Sequence, residues 1–462
     1  MHRASDQILT VAQMRAAEDA LIDAGSTVDD LMQFAGRGAA EWVWRLAWPH
    51  PVTVLCGPGN NGGDGYVIAE SLRARYLPVV VVAPLDPATD AATNARAAWG
   101  GDIWTLAELP HGGVLVDCLF GSGLTRPLGE DLRHLLVSLA GTHARRIAID
   151  LPSGIESDSG RPLDDGLPEY DLTVALGAWK FAHWTMPAAA RMGERRLVPI
   201  GVEPVPGAAR LLKPPHFKAP QTDAHKYTRG LLTVVAGAMP GAALLACAAA
   251  MRGGAGYVRL AAQAPPPAAP ADLVVDRAAL GDPRNAALLV GPGLGRDEAA
   301  YKALSAALLR DLPTVLDADA LVLLTPEMLL GRSAPIIATP HEGELIALAR
   351  SFGVAASGKL AVARELAATT GKVVVAKGPD TAIAAPDGRV AVARPASSWL
   401  SVAGTGDVLA GLVASRLAMG VEPFDAACEA VSLHGQAARR AGMVFAPSDL
   451  VRYISESYEA YS

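Results

Sequence analysis

Apolar residues recur at near-helical spacing in the first part of the chain, from Thr10 to Ala47. Residues such as Met14, Leu21 and Leu31 follow this spacing, which predicts two amphipathic helices. Short β-rich runs come next, separated by stretches that are compatible with helices. This alternation predicts a doubly wound parallel sheet, in which the ligand crevice lies beyond the carboxyl ends of the strands. The predicted strands are Val52–Cys56, Val79–Ala83, Val114–Cys118 and Arg146–Asp150.

The periodicity is lost between Gly201 and Thr222, where the chain is rich in proline. Such a stretch is typical of an interdomain linker, and we place the boundary near residue 215. Beyond it, apolar runs again alternate with helical stretches, so we predict an α/β protein with two domains, residues 1–215 and 216–462. The strands predicted for the second domain are Leu231–Ala236, Tyr257–Ala261, Ala287–Val290, Thr314–Leu316, Ile336–Ala338 and Val373–Ala376.

Composition and charge exclude several classes of protein. The chain has 462 residues, of which 51% are hydrophobic, and a net charge of −7. This balance argues against extensive disorder and predicts no nucleic-acid partner. The four cysteines are far apart and form no CxxC pair, which indicates neither a structural zinc site nor a disulfide framework. There is no signal-peptide pattern and no apolar run of about 18 residues, so we expect a soluble, cytoplasmic protein without a membrane partner.

A glycine-rich segment, Gly-Pro-Gly-Asn-Asn-Gly-Gly-Asp-Gly at 57–65, follows the first predicted strand and precedes an apolar helix predicted over Tyr66–Leu77. Backbone N–H groups at such a helix start can hold a phosphate or diphosphate. The segment is neither Gly-x-Gly-x-x-Gly nor a Walker A loop. The alternative is a tight turn in which Asp64 is the N-cap of the helix.

Two later strand ends also carry aspartate, in Val116-Asp117-Cys118-Leu119-Phe120-Gly121 and Ile149-Asp150-Leu151-Pro152-Ser153-Gly154. An open α/β sheet would gather these ends and the glycine-rich segment at one edge. Asn61, Asp117 and Ser153 would then offer oxygen ligands to a hard cation, and Asp150 could act as a general acid or base. For each single aspartate, a loop or helix cap is the alternative.

These three motifs, in this order after Leu-Thr-x-x-Gln-Met-Arg-x-x-Glu at 9–18, resemble the YjeF N-terminal domain of the NAD(P)H-hydrate epimerases over roughly residues 9–205. The resemblance implies a Rossmann-like three-layer sandwich, with Asp150 beside the reacting ring and potassium held by Asn61, Asp117 and Ser153. It also implies contacts to the hydrated nucleotide from Asn60, Asn61, Gly62, Gly63, Asp64, Gly121, Ser122, Gly123, Leu124, Thr125, Arg126 and Pro127.

The strongest signal in the second half is Ala-Gly-Thr-Gly-Asp-Val-Leu-Ala-Gly at 403–411, where glycines precede a helix predicted to begin near Asp407. The amides of Gly404–Gly406 could stabilise a transferring phosphoryl group, and Asp407 could accept the proton of an attacking hydroxyl. The alternative is that Asp407 is an N-cap. Asp317 and Asp319 could help to hold magnesium or could cap a helix.

Polar loops follow three further predicted strands, at Gly291-Pro292-Gly293-Leu294-Gly295, Thr339-Pro340-His341-Glu342-Gly343-Glu344 and Lys377-Gly378-Pro379-Asp380-Thr381. Together with the glycine-rich helix start, they resemble the ribokinase-like superfamily and, within it, the NAD(P)H-hydrate dehydratases, over roughly residues 216–455. The resemblance implies contacts to the hydrated cofactor from Ala242, Gly293, His341 and Asp407. The adenine nucleotide would be held by Lys377, Gly378, Pro379, Asp380, Thr381 and Gly406.

Both resemblances together imply the repair of NADH and NADPH to which water has added. The first domain would interconvert the R and S hydrates with K⁺ bound, and the second would dehydrate the S form with ADP as co-substrate and Mg²⁺ present, releasing AMP and phosphate. NAD(P)H hydrate and ADP are therefore the expected partners. The sequence is also compatible with a homo-oligomer. The competing hypothesis is a ribokinase-like small-molecule kinase fused to a non-catalytic binding or scaffold domain.

Overall fold

The computed structural model describes residues 4–104, 110–217 and 219–461. The chain forms two compact units, Met1–Arg210 and Leu211–Ser462. The division between them lies inside the proline-rich stretch 201–222. Each unit is an α/β structure built on a largely parallel sheet, which confirms the predicted fold class and the presence of two domains.

The first unit contains a seven-stranded parallel sheet and a small second group of strands. Its helices are α1 (Val11–Asp23), α2 (Val28–Ala47), α3 (Asn60–Arg73), α4 (Asp90–Ala98) and α5 (Glu130–Thr142). Its strands are β1 (Gln7–Leu9), β2 (Val52–Cys56), β3 (Val79–Val82), β4 (Ile103–Trp104), β5 (Gly112–Cys118), β6 (His143–Ile149), β7 (Leu172–Leu176), β8 (Trp179–Lys180), β9 (Glu194–Val198) and β10 (Ala209–Leu211). The large sheet has the order β4-β3-β2-β5-β6-β7-β9, whereas β1 pairs with β8 and β10.

Helices cover both faces of this large sheet. The central strands are rich in valine and leucine and are buried on both faces, as is usual for parallel strands. One core packs α2, α3 and α4 against the sheet, and the other packs α5 against the opposite face. The unit is therefore a three-layer sandwich, and the carboxyl ends of β2, β5 and β6 lie next to one another at one edge.

The glycine-rich segment 57–65 differs from the prediction of an extended loop before a helix at Tyr66. Helix α3 already begins at Asn60, and Gly59 is its N-cap, so the alternative in which Asp64 caps the helix is also wrong. Close packing explains the glycines inside the helix. A Cβ atom at Gly62 would lie 1.9 Å from the carbonyl oxygen of Gly57, and one at Gly65 would lie 2.8 Å from the Cys56 sulfur.

The second unit contains a nine-stranded sheet. Its helices are α6 (Pro240–Arg252), α7 (Glu298–Leu308), α8 (Asp319–Leu323), α9 (Glu342–Ser351), α10 (Lys359–Thr370), α11 (Thr405–Ala418), α12 (Pro423–Ala441) and α13 (Pro447–Glu459). Its strands are β11 (Leu231–Val235), β12 (Tyr257–Ala261), β13 (Val274–Val275), β14 (Ala287–Val290), β15 (Thr314–Leu316), β16 (Ile336–Ala338), β17 (Val373–Ala376), β18 (Ala382–Ala384) and β19 (Val390–Val392).

The order within this sheet is β13-β12-β11-β14-β15-β16-β17-β18-β19, parallel as far as β17 and antiparallel for the last two strands. Helices α6 and α11–α13 cover one face, and α7–α10 cover the other. Helix α11 is buried along most of its length and packs closely on α6. Gly411 allows this approach, because a Cβ atom there would lie only 2.2 Å from the carbonyl oxygen of Ala246.

Within the described parts of the chain, no helix is long and apolar enough to cross a membrane. The cysteines Cys56, Cys118, Cys247 and Cys428 are buried.

Candidate functional site

A cleft of about 560 Å³ lies at the edge of the large sheet in the first unit. Its walls come from the start of α3, the loop after β5, the carboxyl end of β6 and one face of α1. Three residues predicted to bind substrate, Gly62, Gly63 and Pro127, are not part of the lining. The other predicted contacts line the cleft: Asn60, Asn61, Asp64, Gly121, Ser122, Gly123, Leu124, Thr125 and Arg126.

Gly121 is the point at which the three predicted motifs meet. A Cβ atom at Gly121 would lie 3.0 Å from Oδ2 of Asp150 and 3.2 Å from Cγ of Asn61. The backbone N–H of the next residue, Ser122, donates to Asp150 Oδ2 at 3.0 Å. The absence of a side chain at Gly121 therefore lets the loop approach both polar groups closely.

Asp150 is held by a buried ion pair. Its backbone has a φ of 62°, a left-handed conformation that aspartate tolerates better than most residues. Its Oδ1 accepts a hydrogen bond from Nζ of Lys180 at 2.5 Å, and the same ammonium donates to the carbonyl oxygen of Leu176 at 2.6 Å. Burial raises the pKa of Asp150, but the Lys180 charge and hydrogen bond outweigh it and hold the pKa below its usual value. Asp150 is therefore a carboxylate at neutral pH.

Two further carboxyl groups line the same cleft and behave in the opposite way. Burial raises the pKa of Asp64 well above its usual value, and the negative charges of Asp150 and Glu18 raise it further. Burial also raises the pKa of Glu18, although Lys180 opposes this rise. Nearby, burial and Lys180 lower the pKa of His183 to about 4, so its ring is neutral. The cleft thus combines one ion pair with two carboxyl groups whose pKa is raised by burial.

The predicted cation ligands lie beside the cleft. Asp117 is fully buried and accepts hydrogen bonds from the backbone N–H and the hydroxyl of Ser153, at 3.0 and 2.7 Å, and from the Tyr170 hydroxyl at 2.5 Å. Burial raises the pKa of Asp117, while the bonds from Tyr170 and Ser153 oppose the rise. Both side-chain polar atoms of Asn61 are buried, and neither has a hydrogen-bond partner among the residues that the structure describes. An all-oxygen donor set next to an unpaired amide oxygen fits a hard cation.

Sequence reasoning missed Lys180, Glu18 and Tyr170. Lys180 is the single charged residue in the apolar segment Gly177–Trp184, and an isolated lysine in such a segment could have indicated a buried ion pair. Glu18 belongs to a motif that was recognised but given no role. Tyr170 carried no signal, because its hydroxyl meets Asp117 across 53 residues of sequence.

In the second unit, helix α11 begins at Thr405, and Gly404 is its N-cap with a φ of 101°. Asp407 lies in the first turn of this helix and does not cap it, so the capping alternative is wrong. Burial raises the pKa of Asp407 to about 6, as do the charges of Asp317 and Asp319, whereas Lys377 lowers it. Asp407 can therefore exchange a proton near neutral pH.

Lys377 connects the loops around Asp407. Its Nζ donates to Oδ1 of Asp317 at 2.6 Å and would lie 3.4 Å from a Cβ atom at Gly406. Its backbone N–H donates to the carbonyl oxygen of Pro340 at 2.8 Å, which places the His341 loop beside it. The structure thus brings Lys377, Gly406 and Asp407 together at the carboxyl edge of the sheet.

The remaining predicted residues occupy adjacent positions. His341 is the N-cap of α9, where its ring accepts from the backbone N–H of Glu344 at 3.2 Å, and its side chain is 62% exposed. Ala242 lies in the first turn of α6, and the residue before that helix, Met239, donates to the carbonyl oxygen of Gly293 at 2.9 Å.

The stretch 377–381 turns from β17 to β18 and is closed by the Thr381 hydroxyl, which donates to the carbonyl oxygen of Gly378 at 2.8 Å. Pro379 lies within this turn. Asp380 forms an ion pair with Lys359.

The magnesium ligands considered from the sequence are engaged elsewhere. Asp317 binds Lys377 and the Thr339 hydroxyl, and Asp319 accepts from Gly295 N–H at 3.0 Å and from Arg296 at 2.7 Å. Neither aspartate caps α8. Among the residues that the structure describes, no three histidine, cysteine, aspartate or glutamate side chains gather as a metal site. These side chains do not fit a protein-ligated magnesium ion.

Two family models match the chain. Residues 28–182 match the YjeF-related protein N-terminus, and residues 232–459 match the NAD(P)H-hydrate dehydratase family.

The chain is 34% identical to the bifunctional NAD(P)H-hydrate repair enzyme Nnr of Salinibacter ruber, over 96% of this chain and 94% of that protein. It is 31% identical to the Escherichia coli enzyme of the same name, over 92% and 87%. Among solved structures, an ADP/ATP-dependent NAD(P)H-hydrate dehydratase from Bacillus subtilis, co-crystallised with ATP and Mg²⁺, is 29% identical and covers 54% of this chain and 95% of its own, with a TM-score of 0.47. With relatives at this identity matched over nearly their full length, the chain belongs to the family of bifunctional NAD(P)H-hydrate repair enzymes.

Proposed function

We propose that residues 1–215 interconvert the R and S hydrates of NADH and NADPH, and that residues 216–462 dehydrate the S form at the expense of ADP. The observation that carries this proposal is the convergence of three strand-end motifs at Gly121, in a cleft that contains the Asp150–Lys180 ion pair. The relatives that match both halves of the chain disfavour the competing hypothesis of a kinase fused to a scaffold.

For epimerisation, the ring hydroxyl must leave and water must add back to either face. The nitrogen lone pair drives the departure and produces an iminium cation. The carboxylate of Asp150 would stabilise this cation and accept a proton from the incoming water. Asn60, Asn61 and the loop from Gly121 to Arg126 would hold the nucleotide.

Potassium fits the oxygen-rich site beside this cleft. Asn61, Asp117 and Ser153 would hold the ion, which would supply a fixed positive charge there.

The first test omits ADP, so that epimerisation alone can proceed in the full-length chain. We expect Asp150→Asn to lower the rate at which pure R hydrate becomes a mixture by about 10²–10⁴-fold, the usual contribution of a positioned proton-transfer group. Asp131→Asn, which changes an exposed aspartate of α5, is the control. An unchanged rate in Asp150→Asn would show that the carboxylate is assigned wrongly.

For dehydration, Asp407 would remove the proton from the hydroxyl of the S hydrate as this oxygen attacks the β-phosphoryl group of ADP and AMP leaves. Backbone amides at the start of α11 would stabilise the charge on the transferring group, and Lys377 would hold the nucleotide. Phosphate then departs with the ring hydroxyl oxygen, a ring proton is lost, and the double bond is restored. The remaining proposed contacts are Ala242, Gly293 and His341 to the hydrate, and residues 378–381 and Gly406 to the nucleotide.

The second test identifies the phosphoryl donor. Pure S hydrate is incubated with ADP, and the return of the nicotinamide absorbance is compared with the AMP and phosphate released. One AMP per NADH formed is the expected result. Recovery with ATP and release of ADP, without any reaction on ADP, would refute the proposed donor, whereas a stable phosphorylated product would support a kinase.

A further inference from the structure

The buried ammonium group of Lys180 has more N–H donors than the contacts it makes to the described residues. The residue is 1% exposed, and its ammonium group donates to Asp150 and to the Leu176 carbonyl oxygen. An ammonium group has three N–H donors, so the protein contacts leave one of them available. Lys180 also lines the cleft. The third donor is therefore positioned for a ligand bound there.

The backbone around Lys180 holds the side chain in place. The residue belongs to β8, which pairs in register with β1 through Leu9. Its backbone N–H donates to Nδ1 of His183 at 2.9 Å, and the other ring nitrogen of His183 contacts the Asp150 carbonyl oxygen at 2.7 Å. Lys180 and Asp150 are thus fixed relative to each other by main-chain contacts as well as by their ion pair.

The charges that face Lys180 come from every element around it. Glu18 on α1, Asp64 on α3 and Asp150 after β6 are acidic, and His183 is neutral. Burial raises the pKa of both Glu18 and Asp64. Arg15 and Arg126 also line the cleft, and Lys180 and Asp150 are its buried, directly bonded ion pair. A buried ion pair adds little to the stability of a fold, because the cost of removing two charges from water offsets their attraction. A role in the reaction therefore explains this pair better than a role in stability.

Resting on the epimerase activity proposed above, we infer that Lys180 gives a proton to the departing ring hydroxyl, and that Asp150 takes one from the water that adds back. In the first step the C–O bond breaks as Nζ of Lys180 protonates the oxygen. Water leaves, the nitrogen lone pair forms the C=N bond of the iminium, and Lys180 becomes a neutral amine. In the second step a water oxygen bonds to the ring carbon while Asp150 takes its proton. The proton then returns from Asp150 to Lys180 across their 2.5 Å contact.

Each step leaves the net charge of the cleft unchanged. At the start the positive charge is on Lys180, and after departure of water it is on the ring, with the Asp150 carboxylate as counter-ion in both cases. If Asp150 were the donor, the Lys180 ammonium would instead face a second positive charge on the ring. Like charges in a buried site repel strongly, so Lys180 is the better proton donor.

The test uses the full-length protein with R hydrate and K⁺ and no ADP. Lys180→Met keeps the length of the side chain and removes the donor, and Lys180→Ala leaves space for an added amine. We expect both variants to lose about 10²–10⁴-fold in epimerisation rate. Lys180→Arg keeps the positive charge but hardly releases a proton, so it is expected to stay impaired. Dehydration of S hydrate with ADP, measured in the same preparations, calibrates the concentration of active chain.

Chemical rescue separates proton transfer from a structural role. Primary amines of graded pKa are added to Lys180→Ala, and tryptophan fluorescence, to which Trp179 contributes, measures the binding of NADH to the variant. Rescue that varies with amine pKa supports the inference. Full activity in Lys180→Arg overturns it, as does an absence of rescue in a variant that still binds NADH. If the unmodified chain itself does not epimerise the hydrate, the proposed function fails instead.

Discussion

Replacement of Asp407 by asparagine tests whether this carboxyl group is the base of the dehydratase site. Burial and the charges of Asp317 and Asp319 raise the pKa of Asp407 to about 6. With that pKa, about a tenth of the molecules carry the carboxylate at pH 5 and about nine tenths at pH 7. If the carboxylate is the active form, kcat/KM for S hydrate rises about tenfold over this range, because kcat/KM reports the groups of the free enzyme.

The measurement follows the return of the nicotinamide absorbance with S hydrate and ADP from about pH 5 to pH 8. We expect Asp407→Asn to lose about 10²–10⁴-fold in rate at every pH. ADP also titrates in this range. A second variant therefore tests whether the inflection in the pH profile comes from Asp407. Asp317→Asn removes a negative charge beside Asp407 and should move the inflection to lower pH. Asp387→Asn, an exposed aspartate in the same unit, should leave it in place.

The raised pKa also predicts an effect on stability. The folded state binds the proton of Asp407 more tightly than the unfolded chain, where the pKa is 3.8. The stability that comes from this proton is fully present below pH 3.8 and is lost as the pH rises through about 6. The difference of about two pKa units corresponds to about 3 kcal/mol, which partial exposure of the side chain reduces to about 1–2 kcal/mol.

Asp407→Asn should therefore stabilise the second unit at pH 7 by about 1–2 kcal/mol and have no such effect near pH 4. Calorimetric unfolding of both proteins at the two pH values measures this. A flat kcat/KM profile between pH 5 and pH 7, together with equal stability of variant and parent at pH 7, would refute the reasoning.

Two further substitutions test the packing and the hydrogen bonds of the first unit. Gly65→Ala places a Cβ atom 2.8 Å from both the Cys56 sulfur and the Cys118 Cβ, so we expect a loss of about 1–3 kcal/mol in the free energy of unfolding. Gly141→Ala, whose Cβ atom would meet no described residue within 4 Å beyond its chain neighbours and the backbone of its own helix, should be neutral or stabilising. Equal urea midpoints for the two variants would contradict the packing argument. Tyr170→Phe removes the hydroxyl that donates to the buried Asp117 and should cost about 1–3 kcal/mol. The exposed Tyr301→Phe is its control, and a Tyr170→Phe protein as stable as the parent in urea would show that Asp117 does not depend on this bond.

The strands were predicted well because their signal is local. All ten predicted strands are present, and six of them, among them Val52–Cys56 and Thr314–Leu316, have the predicted bounds. A strand buried on both faces needs an unbroken apolar run, which is visible in a single sequence. Nine strands of the described residues were not predicted: β1, β4, β7, β8, β9, β10, β13, β18 and β19. For β1, β8 and β10, the pairing joins segments that are far apart in the chain.

The start of α3 shows where local reasoning fails. Glycine and asparagine usually favour turns, so the sequence predicted a loop up to residue 65. The glycines are instead helical, because the helix packs against the backbone of Gly57 and the side chains of Cys56 and Cys118. Tertiary packing overrode the local preference.

The sequence alone determined the order of the elements, the two α/β units and the polar motifs at the strand ends, since each of these depends on residues close together in the chain. The tertiary structure alone decided the charge states. It brought Lys180 into contact with Asp150, which lies 30 residues away in the sequence. It also buried Asp407 beside Asp317 and Asp319. Burial and distant charges set a pKa, and neither can be derived from local sequence.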